Sequence, residues 1–135
     1  MDFQLLYMKR LLKQVVGIDV AQKELVVSIG RMHDDLAPEV YGHHSFANTP
    51  KGFDALVTWV TKRSDTSTAV QYVLEATGVY HEKLAYFLHE RGHGISVVLA
   101  NRISSYQRTL DIKTVTDKTA AEAITRFGLE RKLQN

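Results

Sequence analysis

Three acidic residues lie where a folded chain has little reason to place an unpaired charge. Asp19 closes the apolar run Val15–Val20, Glu75 follows the apolar run Val70–Leu74, and Asp117 opens a helical stretch. A carboxylate in an apolar strand loses hydration unless a cation or hydrogen-bond donors meet it. Because carboxylate oxygens are the ligands that hard divalent cations prefer, these three sites predict a metal-binding centre.

Bulk composition limits the kind of protein that could carry this centre. The chain has 135 residues, 44% hydrophobic and 24% charged, which is typical of one globular domain. Its net charge of +2 permits a polyanionic partner without predicting one. The lack of cysteine excludes disulfides, thiolate zinc sites and cysteine nucleophiles. Neither a membrane-spanning apolar stretch nor a secretory signal is present, so we expect a cytoplasmic protein with no membrane partner.

Hydrophobic periodicity predicts the elements that must position the acids, in the order β-β-β-α-β-α-β-α-α. Strands are predicted at 14–20, at 24–29, within 40–47, at 70–74 and at 95–99. Helices are predicted from Pro50 to about Ser64, through Tyr80 and Leu88 up to Gly92, over 101–110 and over 117–127, with a polar loop at 111–116.

Three consecutive strands followed by alternating helices and strands favour an α/β fold with a mixed sheet. One side of the five-stranded sheet should be antiparallel and the other parallel, with flanking helices. This is the ribonuclease-H-like, or RuvC-like, arrangement. In it the first strand lies beside the fourth, and a late helix brings its first turn over both. Asp19, Glu75 and Asp117 occupy those three places.

Several ordered motifs carry a family resemblance that covers nearly the whole chain. The motifs are Val16–Val20, Phe46–Asn48 with Gly52–Phe53, Glu75–Tyr80 and the helix start Asp117–Lys118. Together they resemble the N-terminal catalytic domain of DEDD-type transposases of the insertion sequence 110 family, which includes Piv-like recombinases. The Glu-Ala-Thr-Gly-Val-Tyr string is the most specific motif.

The resemblance implies four acidic residues, the last two of them three positions apart at the start of the final helix. Carried onto this chain, the catalytic set is Asp19, Glu75, Asp117 and position 120, which is Ala120. Positions 117 and 120 are about 60° apart around a helix, whereas Glu122 is about 140° from Asp117. Glu122 is therefore a poor replacement for the missing carboxylate, and we expect cleavage to be impaired.

The resemblance also implies a cofactor and partners. Mg²⁺, with Mn²⁺ as its surrogate, would be held by Asp19 bridging two ions and by Glu75 and Asp117 on one ion each. DNA, a structured guide RNA and a homo-oligomer are the implied partners. The basic residues expected to contact nucleic acid are Arg102, Arg108, Lys113 and Lys118, with Lys9, Arg10, Lys13, Arg126, Arg131 and Lys132 as further candidates.

Residues 1–13 are predicted to be an N-terminal extension and residues 14–135 the transposase N-terminal domain, without the C-terminal domain that family members carry. The main alternative is a non-catalytic nucleic-acid-binding or oligomerisation module that keeps the fold after losing the acid at position 120. An actin-like nucleotide-binding fold is a third interpretation, but no later glycine-rich phosphate loop supports it.

Overall fold

The computed structural model describes residues 9–76, 78–109 and 117–131, and within them helices flank one mixed sheet. The strands are β1 (Leu11–Val20), β2 (Glu24–His33), β3 (Pro38–Ala47), β4 (Val70–Ala76) and β5 (Gly94–Leu99). The helices are α1 (Pro50–Arg63), α2 (Glu82–Glu90), α3 (Ala100–Thr109) and α4 (Asp117–Glu130). The order of these elements along the chain is the predicted one.

The sheet has the predicted mixture of parallel and antiparallel strands. Its strands lie side by side in the order β3-β2-β1-β4-β5. β2 runs antiparallel to both β1 and β3, whereas β1, β4 and β5 run parallel to one another. The central strand β1 is buried almost throughout Gln14–Val20, which explains why its apolar residues form a nearly continuous run.

Helices cover both faces of the sheet. α1 and α2 pack on the face that presents Val16 and Ile18, and α3 and α4 pack on the face that presents Val15 and Val73. Because side chains alternate along a strand, Gly17 and Asp19 share the face of Val15. No helix within the described ranges is both long enough and apolar enough to cross a membrane.

The helix boundaries follow local capping chemistry. Thr49 precedes α1, and its side chain accepts a hydrogen bond from the Gly52 N–H at 3.1 Å, which caps the helix. α2 begins at Glu82, so Tyr80 lies in the preceding turn and not on the helix as predicted. The predicted loop at 111–116 lies outside the described residues.

β1 begins at Leu11, inside the segment predicted to be an N-terminal extension. Two long polar side chains near the start of β1 form hydrogen bonds with backbone groups far away in the sequence. The Gln14 amide donates to the carbonyls of Asp65 and Thr68 at 2.8 and 2.6 Å. The Lys13 amine donates at 2.8–3.3 Å to three carbonyls at the end of α4. Lys13 therefore caps α4, although the sequence had suggested that it contacts phosphate.

α4 packs closely against β1 at Gly17, where the strand has no side chain between the two backbones. A Cβ atom at Gly17 would collide with Thr125 Oγ1 and would lie 2.5 Å from the Thr125 backbone nitrogen. The Gly17 N–H donates to Thr125 Oγ1 at 3.0 Å, and the Thr125 hydroxyl donates to the Ser28 carbonyl at 3.1 Å. One helix hydroxyl thus links the paired residues Gly17 and Ser28 of β1 and β2. The sequence reasoning missed this contact, and the only signal for it was a glycine within an apolar strand.

Gly17→Ala should destabilise the fold by about 3 kcal/mol or more, because the new methyl group meets helix backbone and not a flexible side-chain end. The matched variant is Gly78→Ala, where φ is +67° and a Cβ atom meets nothing within 4 Å. That variant should lose only about 1 kcal/mol through backbone strain. Urea unfolding followed by circular dichroism measures both changes. Equal losses in the two variants would contradict the close packing of α4 on β1.

Candidate metal centre at the carboxyl edge of the sheet

Asp19 and Glu75 lie side by side near the carboxyl ends of two neighbouring parallel strands. β1 and β4 are paired in register up to Ile18 and Leu74, and the two acids are the next residues on each strand. Both belong to the face that α4 covers, because they follow Gly17 and Val73 by two positions. The structure therefore brings together two of the predicted site residues from positions 56 apart in the sequence.

The electrostatics of this pair favour a cation. Both side chains are half-buried. Burial, and then the negative charge of Asp19, raise the pKa of Glu75 above its ordinary value of 4.5. A carboxylate in this position is stabilised either by a proton or by a positive ion. Because carboxylate oxygen is a preferred ligand of hard divalent cations, the donor set fits such an ion.

α4 is directed towards the same edge. Its end packs near the start of β1, where a Cβ atom at Gly128 would lie 2.7 Å from Val15. One to two turns earlier, Ala121 and Thr125 lie against Gly17. α4 therefore runs antiparallel to β1, and its first residue, Asp117, lies one turn before Ala121 in the direction of Asp19.

The side chain of Asp117 lies outside the described part of the structure, so its predicted role stays a prediction. Among the side chains that are described, no group of three His, Cys, Asp or Glu is arranged to hold a metal ion. The half-buried Ala120 contributes only a methyl group to the first turns of α4.

Glu122 does not replace the missing acid. Its carboxylate lies 2.9 Å from His43 Nε2 on β3, the edge strand on the opposite side of β1 from β4. The predicted angular separation of Glu122 from Asp117 around the helix is consistent with this contact. This contact ties α4 to the antiparallel half of the sheet and leaves the Asp19–Glu75 edge without a contribution from Glu122.

Two of the four residues predicted to contact nucleic acid lie on α3. Arg102 and Arg108 are exposed on α3, and the Arg102 guanidinium carbon lies 5.0 Å from the centre of the Phe127 ring. Lys113 lies outside the described residues, and so does the side chain of Lys118. The sequence did not reveal that α3 and α4 form a groove between them.

Replacing Glu75 by Gln should stabilise the metal-free protein at neutral pH. Because folding raises the Glu75 pKa, its contribution to stability is fully present below the unfolded pKa and is lost as pH rises through the folded value. Thermal unfolding in EDTA across a pH series should give Glu75→Gln a higher Tm than the parent at pH 7, and the difference should vanish in acid. Glu24→Gln, at an exposed position that opens β2, is the matched control. A lower Tm for Glu75→Gln at pH 7 would contradict the repulsion between the two acids.

Comparisons with known proteins agree with this architecture. A family model described as a transposase, that of DEDD transposases of the insertion sequence 110 type, matches residues 16–135. Pilin gene-inverting proteins of Moraxella bovis and Moraxella lacunata are 30% and 29% identical to the chain over 116 residues. These matches cover 86% of the chain and 34% of each relative, so the chain spans about a third of their length.

Two solved structures share the fold at low sequence identity. Thermus thermophilus RuvC in complex with a Holliday junction substrate is 15% identical with a TM-score of 0.53, over 87% of this chain and 98% of that chain. The fowlpox virus Holliday junction resolvase is 13% identical with a TM-score of 0.55, over the same shares. The predicted ribonuclease-H-like, RuvC-like fold is confirmed. The chain belongs to the DEDD transposase family of the insertion sequence 110 type.

Proposed function

We propose that this chain is the metal-dependent DNA strand cleavage and exchange domain of a transposase or site-specific recombinase. The observation that carries the proposal is the apposition of Asp19 and Glu75 at the carboxyl edge of β1 and β4. Family membership supports DNA recombination as the process. The names of the relatives, gene-inverting proteins and a RuvC bound to a Holliday junction, support DNA as the substrate.

The chain's own residues would prepare the site for phosphodiester exchange. Asp19 and Glu75 hold negative charge in a half-buried place, where screening by water is reduced. Asp19, Glu75 and Asp117 are the residues that would hold Mg²⁺. When bound, two such ions neutralise negative charge on the attacking and leaving oxygens. The packing of α4 on Gly17 would keep its first turn at this edge.

Ala120 points to impaired activity and favours a second candidate function. Position 120 carries a methyl group, and Glu122 is engaged with His43. The site then has three acids where the family pattern has four. A non-catalytic module that binds nucleic acid or mediates oligomerisation, with the fold retained, is the alternative. A structured guide RNA and a homo-oligomer remain part of the proposal, with residues 14–135 as the catalytic domain.

Ala120→Asp should raise the affinity for Mn²⁺ about tenfold or more, because a fourth carboxylate completes the ligand set. Isothermal titration calorimetry measures the change. Ala120→Asn is the control, since it has nearly the same shape without the charge. Asp19→Asn should lose binding in either background. Two tight Mn²⁺ sites in the unmodified chain would contradict the proposed defect.

Strand cleavage distinguishes the two candidate functions. In a chain extended at its C-terminus to the length of the relatives, Ala120→Asp should produce Mn²⁺-dependent nicking of supercoiled DNA on an agarose gel. The double variant Ala120→Asp with Glu75→Gln should not nick, because the acid pair is broken. If Ala120→Asp gains neither metal affinity nor nicking, the non-catalytic module is the better description.

A further inference from the structure

The groove between α3 and α4 is a second site that the acid pair does not explain. It has a volume of about 350 Å³ and is lined by Asn101, Arg102, Ser105, Tyr106, Phe127 and Arg131. We infer that this groove binds the phosphate backbone of DNA and does not read its bases. The inference rests on the proposed function, because it supplies the path by which a DNA strand would leave the acid pair.

Two arginine side chains that pack on aromatic rings line the groove. The Arg102 guanidinium lies 5.0 Å from the centre of the Phe127 ring, and that of Arg131 lies 5.6 Å from the centre of the Tyr106 ring. Each ring is only 3% exposed, and the two rings meet edge to face at 5.7 Å between centroids. A nucleotide base therefore cannot stack on either ring.

The guanidinium groups remain available to a ligand. Both arginine residues are exposed, and stacking on a ring uses the flat face of a guanidinium while its N–H groups stay at the edge. Phosphate oxygens accept such edge-on, bidentate hydrogen bonds. Packing on the aromatic rings also restricts the arginine side chains beforehand, which lowers the entropic cost of binding.

The charges around the groove favour an anion. Within the described residues neither Arg102 nor Arg131 has an acidic partner, whereas Lys9 is paired with Asp35 and Arg31 with Glu39. The exposed Glu130 adds one negative charge beside Tyr106. Arg126 lies near enough to Tyr106 to oppose that charge. The net charge of these four side chains is therefore positive.

The groove begins at the edge of the sheet that carries the acid pair. Glu75 is paired with Val98, and the next pair joins Ala76 to Leu99. α3 starts directly after Leu99, so Arg102 lies within its first turn. A strand held at the acid pair can therefore continue along α3 without crossing the sheet. The basic pocket near Arg63 has no such continuity, because Gln14, which lines it, lies on the opposite face of the sheet from Asp19.

Salt dependence of DNA binding tests the inference. Arg102→Gln and Arg131→Gln should each reduce the slope of log affinity against log salt by about 0.9, the value for one lost phosphate contact. The loss should be the same on duplexes of unrelated sequence. Arg91→Gln is the matched control, because Arg91 stacks on Phe87 at 3.6 Å on the other face of the sheet. Fluorescence anisotropy of the full chain with labelled duplex DNA in a KCl series provides the slopes.

Each outcome supports or contradicts binding of the DNA phosphate backbone in the groove. Reduced slopes for both groove variants with an unchanged slope for Arg91→Gln support it, provided that circular dichroism shows all three folded. Unchanged groove slopes, an equal fall in all three variants, no DNA binding by the parent, or a response only to an RNA duplex would overturn it. Asp19→Asn distinguishes a failure of the groove from a failure of the metal centre. This variant should lose Mn²⁺ binding and keep the groove's contribution to the salt dependence of DNA affinity.

Discussion

The packing of α4 against β1 is the constraint on which the rest of the structure depends. At Gly17 the helix lies so near the strand that no side chain fits between them, and the Thr125 hydroxyl completes the hydrogen bonds of the two strands beneath it. At the other end, Lys13 binds the last carbonyls of the helix. Two positions on β1, Lys13 and Gly17, thus fix one helix, and the position of that helix decides what lies over the carboxyl edge of the sheet.

The acid pair shows how a fold can tolerate an unfavourable site. Placing Asp19 beside Glu75 costs stability in the absence of a cation, as the raised pKa of Glu75 indicates. The surrounding core offsets this cost, because the residues on both sides of the two strands are almost fully buried. On the far side of α4 the pair of Glu122 and His43 binds the helix to β3. A polar contact therefore supports the same helix from the side on which the acid pair does not lie.

Arginine residues on the two faces of the sheet differ in the ligands that they could bind. Their position in the fold, as well as their residue type, determines this difference. Arg91 and Arg102 both pack on aromatic rings, but only Arg102 lies beside the carboxyl edge. Arg31 lines a different pocket and is already paired with Glu39. A mildly basic composition could not distinguish these cases, because it counts charges without locating their partners.

The sequence by itself determined the order of the elements, the mixed sheet and the family. Apolar periodicity is a local property, and the buried residues of β1 and α1 follow it closely. It also placed Asp19 and Glu75 near the ends of neighbouring strands. Only the tertiary structure decided that Lys13 caps a helix 115 residues away, that Thr125 joins two strands, and that Arg102 and Arg131 share one groove. These contacts join residues far apart in the chain, and no local pattern encodes which side chains meet once helices pack on a sheet.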